Sequence, residues 1–247
     1  MSALNSQLLN VVQSEARELG DGRVWLSGIS ATDTTLDVGT QTREVLAIAD
    51  ARLAERGVDR RAVLMVHIWL SDMDLFQDMT AEWNNWVGDL APPSRSCVSG
   101  MPVIPGTLLV IEVIALLPDA PSGPDSIKRF GLVSGPGRPT MCLALGYQDW
   151  FTVCTLASDC SVGVVGQTKQ ILDVFQKFME EGGVTRSDAT QLEIWLKDID
   201  DLDAVYGVLV SWFGSSKLPA VSAVGANMAA SEMLIEIRLT ASVRARR

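Results

Sequence analysis

The sequence predicts an α+β fold built twice: two tandem domains of order β–α–β–α–β–β, with the helices on one face of each sheet. Two observations lead there. One is an internal repeat at a single offset; the other is apolar spacing that switches between the strand period and the helix period in the same order in both copies. Gln41-Thr42 recurs as Gln167-Thr168, Gly57-Val58 as Gly183-Val184, and Ile68-Trp69-Leu70 as Ile194-Trp195-Leu196. Asp72, Asp74, Trp86, Gly88 and Pro93 recur as Asp198, Asp200, Trp212, Gly214 and Pro219, every pair 126 positions apart with no gap from residue 41 to 93. The stretch 118–125 (PDAPSGPD) is rich in turn formers and reads as the linker, dividing the chain into domains 1–120 and 121–247.

Each element follows from its spacing. Residues 24–29 and 150–156 are strand-like. Over 40–56, Val45, Leu46, Ala49 and Leu53 recur at helical spacing and Gly57 follows, which predicts an amphipathic helix closed by a glycine. Ile171, Leu172, Phe175 and Met179 occupy the same places in the second copy. A strand comes next, over 62–70 and 188–196. Asp74 and Asp200 then read as N-caps of a second helix carrying Phe76, Met79, Trp83 and Trp86, or Leu202, Val205, Leu209 and Trp212. A final strand pair is expected at 95–101 with 107–116, and at 220–226 with 232–240. In the middle strand Leu64, Val66, Ile68 and Leu70 suit the helix-covered core, and Met65, His67 and Trp69 face the other way. A tryptophan beside a polar residue on that free face suggests a partly polar protein interface.

Composition narrows the function. Hydrophobic residues make up 47% of 247, enough for a sizeable core, and no apolar run reaches the ~20 residues of a membrane span. The longest, 108–117, is interrupted by Glu112. The first ten residues lack a basic region followed by an apolar stretch, so no secretory signal is expected. Thirty acidic against 20 basic residues leave a net charge of −10, which repels phosphate backbones and anionic lipid. Neither nucleic acid nor membrane is an expected partner, and the basic tail (Arg244, Arg246, Arg247) reads as a solvated end. Cys97, Cys142, Cys154 and Cys160 form no CxxC pair and His67 is the single histidine, so no metal site is expected and the cysteines read as reduced in a cytoplasmic protein.

Few residues carry readable chemistry. Arg95 follows a Pro-Pro-Ser turn and opens a strand, where a guanidinium can hold a carboxylate through two parallel hydrogen bonds or join an ion pair. Glu112, on the strand face of Leu108 and Val110, is either an acid or base made usable by desolvation or a carboxylate paired across an interface. Glu236, in Met-Leu-Ile-Glu-Ile, is read as its counterpart in copy two. Cys97 lies on the same strand side as Arg95 and is a wall residue rather than a nucleophile, since no base adjoins it. His67 reads as structural. No Ser/His/Asp constellation is visible. The Gly-rich stretch Val133-Ser-Gly-Pro-Gly-Arg-Pro fits no phosphate-binding pattern and reads as a turn, with Arg138 as a candidate second basic group.

The string Ile68-Trp-Leu-Ser-Asp-Met-Asp-Leu-Phe, then Trp83-x-x-Trp86, Pro93-Ser-Arg-Ser-Cys-Val98 and Ile111-Glu-Val-Ile-Ala115, with Leu26-Ser-Gly28 and Gln41-Thr-Arg43, resembles the RidA/YjgF family over most of 24–117; the second copy is similar in framework over 127–241. The resemblance implies a fold like the bacillus type of chorismate mutase, in which three domains close a barrel with clefts between neighbours. It implies hydrolysis of reactive 2-imino or enamino acids to keto acids and ammonia, without a cofactor. Arg95 would bind the substrate carboxylate and Glu112 would position or activate water. Ser27 and Gly28 would lie at the cleft, with Ser27 as a hydrogen-bond partner, and Cys97 and Thr80 would join them in binding the substrate, Thr80 standing where the family commonly has asparagine on the second helix.

Departures from the family pattern point to a specialised substrate. Residues 1–22 contain no Gly-Pro-Tyr-Ser segment, and Ile29 follows Ser27-Gly28 where glutamine is common. In copy two Val221 replaces Arg95 and Ala223 replaces Cys97, which makes that copy structural or one wall of a cleft. A three-domain barrel and two domains per chain predict a homotrimer, with a dimer as the alternative. The functional expectation is deamination of a small carboxylated imine or enamine. A non-catalytic binding or scaffold protein, or a tautomerase or hydrolase of a specialised pathway, stand as alternatives.

Overall fold

The structure, a computed structural model, describes residues 16–214 and 216–243. The amino-terminal stretch read for a signal and the basic tail Arg244, Arg246 and Arg247 lie outside the described residues. The chain divides into two compact units. Unit 1 takes residues to 125 together with 133–141, and unit 2 takes 126–132 and 142 onward.

Unit 1 contains β1 (Arg17–Glu18), β2 (Arg23–Ile29), α1 (Val38–Ala54), β3 (Val63–Leu70), α2 (Phe76–Val87), β4 (Ser94–Ser99) and β5 (Leu109–Leu116). The strand order is β1-β2-β5-β3-β4. The two last strands, expected side by side, are not neighbours. β5 runs antiparallel between β2 and β3, and β4 runs parallel on the far side of β3. Residues 100–108 are long enough to cross one end of the sheet, so no tight hairpin constrains the pair.

Unit 2 contains β6 (Lys128–Val133) and β7 (Met141–Tyr147) except for their end residues Val133 and Met141, then β8 (Trp150–Leu156), α3 (Val164–Gly182), β9 (Ala189–Leu196), α4 (Leu202–Phe213), β10 (Ala220–Gly225) and β11 (Ile235–Ser242). Here β7-β8-β11-β9-β10 is the order, with β6 on β7. β6, β7 and β1 are additions to the β–α–β–α–β–β reading. β7 and β8 join through the two-residue turn Gln148-Asp149, where Gln148 takes φ 51°. Glutamine at a left-handed turn position carries no sequence signal, which is why this hairpin was not legible.

The repeated residues turn out to be the pins of the fold. Gln41 Nε2 donates to the carbonyls of Leu36 (2.9 Å) and Gly106 (3.0 Å), and its Oε1 accepts from Leu108 N (2.9 Å). Gln167 makes the same clasp, donating to Glu232 O (2.9 Å) and accepting from Leu234 N (2.9 Å). One buried amide thus ties the helix start to the loop before the last strand in each unit, satisfying backbone groups that no ladder reaches. Thr42 and Thr168 each return a hydroxyl hydrogen bond of 2.7 Å to the helix carbonyl four residues back. Arg60 stacks on Trp86 at 5.1 Å and donates to its carbonyl at 2.7 Å; Arg186 stacks on Trp212 at 4.2 Å and donates to the carbonyl of Trp212.

A left-handed glycine follows the first helix of each unit, as the sequence suggests: Gly57, φ 67°, lies three residues past α1, and Gly183, φ 72°, caps the first helix of unit 2 directly. The second helix is entered differently. The capping carboxylates are Asp72 and Asp198, two residues before the expected Asp74 and Asp200. They accept from the amides of Asp74 and Asp200 at 3.0 Å and start a short 3-10 turn ahead of the α-helix.

The cysteines are free thiols, and three are buried. Burial pushes the Cys142 thiol up to about 12. Cys154 is raised well above the usual thiol range, first by burial and then by Glu236, whose Oε1 accepts its S–H at 3.2 Å. Above pH 9 the unfolded chain releases the Cys142 proton while the folded chain keeps it. Stability therefore falls by about 1.4 kcal/mol for each pH unit between roughly 9 and 12 for that thiol. Urea midpoints at pH 8 and pH 10 should differ by more in the wild type than in Cys142→Ala; an equal drop in both would contradict this.

Candidate functional site

Strand register decides which candidates meet. Val66 pairs with Arg95 and Ile68 with Cys97, so Arg95 and Cys97 share the helix-covered face of the sheet. Arg95 is buried against α2. Its guanidinium lies over Phe76 at 5.3 Å and over Trp83 at 5.1 Å. Nη2 donates to Thr80 Oγ1 at 3.2 Å and reaches Met79 Sδ at 3.5 Å. Two aromatic faces and a hydroxyl thus box a permanent cation, and cation–π contacts offset part of its desolvation. A guanidinium held this way keeps one orientation, which suits bidentate recognition of a planar carboxylate.

Glu112 is elsewhere. It pairs with His67, and His67 pairs with Ser96, on the opposite face of the same sheet. Arg95 and Glu112, expected to work on one substrate, are therefore divided by the sheet within unit 1. The reason is strand parity: Glu112 has the parity of His67 and Arg95 that of Val66. Ser27 and Gly28 are also apart from Arg95. They lie at an irregularity of β2, where Gly28 has φ 64°, and β2 is three strands from β4, about 14 Å at ~4.8 Å spacing.

The fold assembles a row that the linear sequence hides: Ser96, His67 and Glu112 side by side across β4, β3 and β5. His67 Nδ1 lies 2.5 Å from Ser96 Oγ, and its ring meets Trp69 edge-on at 4.0 Å. The corresponding row in unit 2 is Ser222, Glu193 and Arg238. Arg238 Nη1 bonds Glu193 Oε2 at 3.1 Å, and its guanidinium lies over Trp195 at 5.2 Å. Register thereby corrects the reading of Glu236. It pairs with Trp195 as Val110 pairs with Trp69, so the counterpart of Glu112 is Arg238.

Residues of α2 that the sequence suggests for the core prove to surround the Arg95 guanidinium. Phe76 and Trp83 form its box, and Thr80, suggested only by family position, is bonded to it. Their signal lies in the repeat. Phe76, Thr80, Trp83 and Arg95 correspond to Leu202, Tyr206, Leu209 and Val221, so the whole box is absent from copy two. Among the described residues no group of three or more His, Cys, Asp or Glu is placed to hold a metal ion. No described helix is long and apolar enough to cross a membrane.

A family profile described as Endoribonuclease L-PSP matches this chain twice, over residues 14–117 and 156–243. The chain belongs to that family, known as RidA/YjgF, as a tandem member. A curated relative is the RutC family protein of Haemophilus influenzae, 35% identical over 75 residues, which are 30% of this chain and 65% of that protein. The match thus spans just under two thirds of that relative. A second, the RutC family protein of Haemophilus ducreyi, is 27% identical over 97 residues, 39% of this chain and 83% of that protein. Among solved structures a chorismatase superposes with a TM-score of 0.70 at 14% identity, covering 92% of this chain and 79% of that one. That likeness concerns the fold, and it extends over both copies of this tandem RidA/YjgF chain.

Proposed function

We propose that unit 1 carries a site for a small carboxylated imine or enamine, which the protein hydrolyses to a keto acid and ammonia without a cofactor. The boxed Arg95 carries this reading. It is a buried cation held by Phe76, Trp83 and Thr80, in the one copy that retains all four. Membership in the family supports it.

Arg95 would hold the carboxylate and so fix the adjacent C=N carbon, present in an imine and formed from an enamine when its β-carbon takes up a proton and its nitrogen gives one up. Water adds to that carbon while nitrogen takes up a proton. The carbinolamine then loses ammonia as its hydroxyl proton departs and the C=O forms. A guanidinium exchanges no proton near neutrality, so its contribution is orientation and charge placement. Cys97, on the same strand face, is a wall residue in this scheme. Glu112 belongs to the opposite face and is assigned no step at Arg95. The test is release of ammonia and keto acid from enzymatically generated 2-aminoacrylate, wild type against Arg95→Ala. Equal rates would remove the deaminase assignment.

A homotrimer is part of the same proposal. In unit 2, β10 is an edge strand whose Val221 and Val224 are 38% and 55% exposed, and on α4 Tyr206 and Val210 are 46% and 45% exposed. Such an apolar edge is left open at a cost unless another chain covers it. Light scattering should give a mass of three chains, and Val221→Lys should lower it; a wild-type mass of two chains would refute the trimer.

A further inference from the structure

The Gly-rich turn at 133–141 follows the linker in sequence and yet packs as part of unit 1. Trp83 Nε1 donates to Thr140 O at 2.8 Å. Asn84 grips the turn twice, donating from Nδ2 to Arg138 O at 2.9 Å and accepting at Oδ1 from Thr140 N at 2.7 Å. Farther back on α2, a Cβ placed on Gly137 would lie 3.7 Å from Gln77 Oε1. Gln77, Thr80 and Asn84 are spaced i, i+3, i+7 and therefore form one stripe of the helix. The turn is bonded to Asn84 at one end of that stripe and passes near Gln77 at the other, and the middle residue, Thr80, is the one bonded to Arg95. Trp83, bonded to the turn, is the residue whose ring lies under the Arg95 guanidinium.

The repeat supplies an independent observation. Gln77, Thr80, Trp83, Asn84 and Arg95 are replaced in copy two by Asp203, Tyr206, Leu209, Val210 and Val221. The framework around them, Trp86 and Gly88 against Trp212 and Gly214, is unchanged. Residues that dock the turn are thus present with the arginine in copy one and replaced together with it in copy two.

The turn brings a charge with it. Arg138 is exposed, its backbone carbonyl is fixed by Asn84, and among the described residues its side chain has no ion-paired acid. An uncommitted guanidinium on a segment pinned beside a carboxylate site attracts a second anionic group. Gly135 and Gly137 on either side of Pro136 take φ 122° and 67°, conformations that glycine reaches without strain.

We propose that residues 133–141 are a strap over the Arg95 site, and that Arg138 on it is a specificity-determining residue selecting acids with two carboxylates. The inference rests on the reading of Arg95 as a carboxylate anchor. The strap closes the site along Thr80, and Arg138 meets the distal carboxylate while Arg95 holds the proximal one.

The test uses the full-length chain and two stable keto acids, 2-oxoglutarate and 2-oxobutyrate, by calorimetry or tryptophan fluorescence. The wild type should bind 2-oxoglutarate about 10-fold more tightly, the size expected for one added charge-assisted pair at an exposed position. Arg138→Ala should remove that preference and leave 2-oxobutyrate binding within about 2-fold. Because Arg138 is exposed, its variant should melt as the wild type does. If the wild type shows no preference, or Arg138→Ala weakens both acids equally, or neither, while Arg95→Ala still weakens both, the strap proposal is overturned and the anchor stands. If the wild type binds neither acid, or Arg95→Ala binds both as the wild type does, the anchor itself fails, and the strap proposal with it.

Discussion

Arg95→Ala is expected to lower kcat/KM for imine hydrolysis by at least about 100-fold, with the chain still folded. A charge-assisted bidentate pair in a water-poor site is worth roughly 2–4 kcal/mol, and each 1.4 kcal/mol is a factor of ten. The loss should fall on both parameters, since in the proposed scheme the guanidinium both binds the acid and aligns its C=N carbon. Arg95→Lys separates charge from geometry. An ammonium keeps the positive charge but not the planar fork, and its shorter reach leaves Thr80 Oγ1 without its 3.2 Å donor. The lysine variant should therefore sit nearer to alanine than to wild type. A lysine variant with full activity would show that charge alone suffices, against orientation by the box.

Trp83→Ala should cost stability most among single changes in unit 1, by about 3–5 kcal/mol. Trp83 is fully buried, packs on Trp86 with ring centroids 5.2 Å apart, lies under Arg95 at 5.1 Å and donates to Thr140 O at 2.8 Å. Truncation opens a cavity, removes the aromatic face that helps offset a buried cation, and orphans a carbonyl of the strap. Trp83→Phe separates these effects. It keeps most of the packing and a π-face but loses the N–H, and should cost only about 1–2 kcal/mol. Urea unfolding at neutral pH measures both. If phenylalanine were as damaging as alanine, the Thr140 bond rather than packing would hold the helix in place. In unit 2 the equivalent Leu209 has no such bond to lose, so Leu209→Ala should cost a purely apolar ~2–5 kcal/mol.

The sequence alone determined that this protein is one α+β domain made twice, because constraints of packing and capping recur locally. Helix period, glycine stops and alternating strands are short-range patterns, and Gln41 with Gln167 or Trp86 with Trp212 expose the duplication at a fixed spacing. That Arg95 sets the first copy apart from the second was legible as well, since its turn, its family string and its replacement by Val221 are all linear facts. Tertiary structure decided the rest. Which face a strand residue presents depends on parity, but which residues stand beside it depends on strand order, and strand order is set by loops that cross the sheet. That separated Glu112, Ser27 and Gly28 from Arg95 and moved the counterpart of Glu112 from Glu236 to Arg238. It also gathered Ser96, His67 and Glu112 into one row, and folded residues 133–141 back onto Trp83 and Asn84. These are long-range pairings: the strand order rests on backbone ladders that are indifferent to side-chain identity, and residues 133–141 are held by side-chain bonds from Trp83 and Asn84, more than fifty positions away in the sequence, so no local pattern records them.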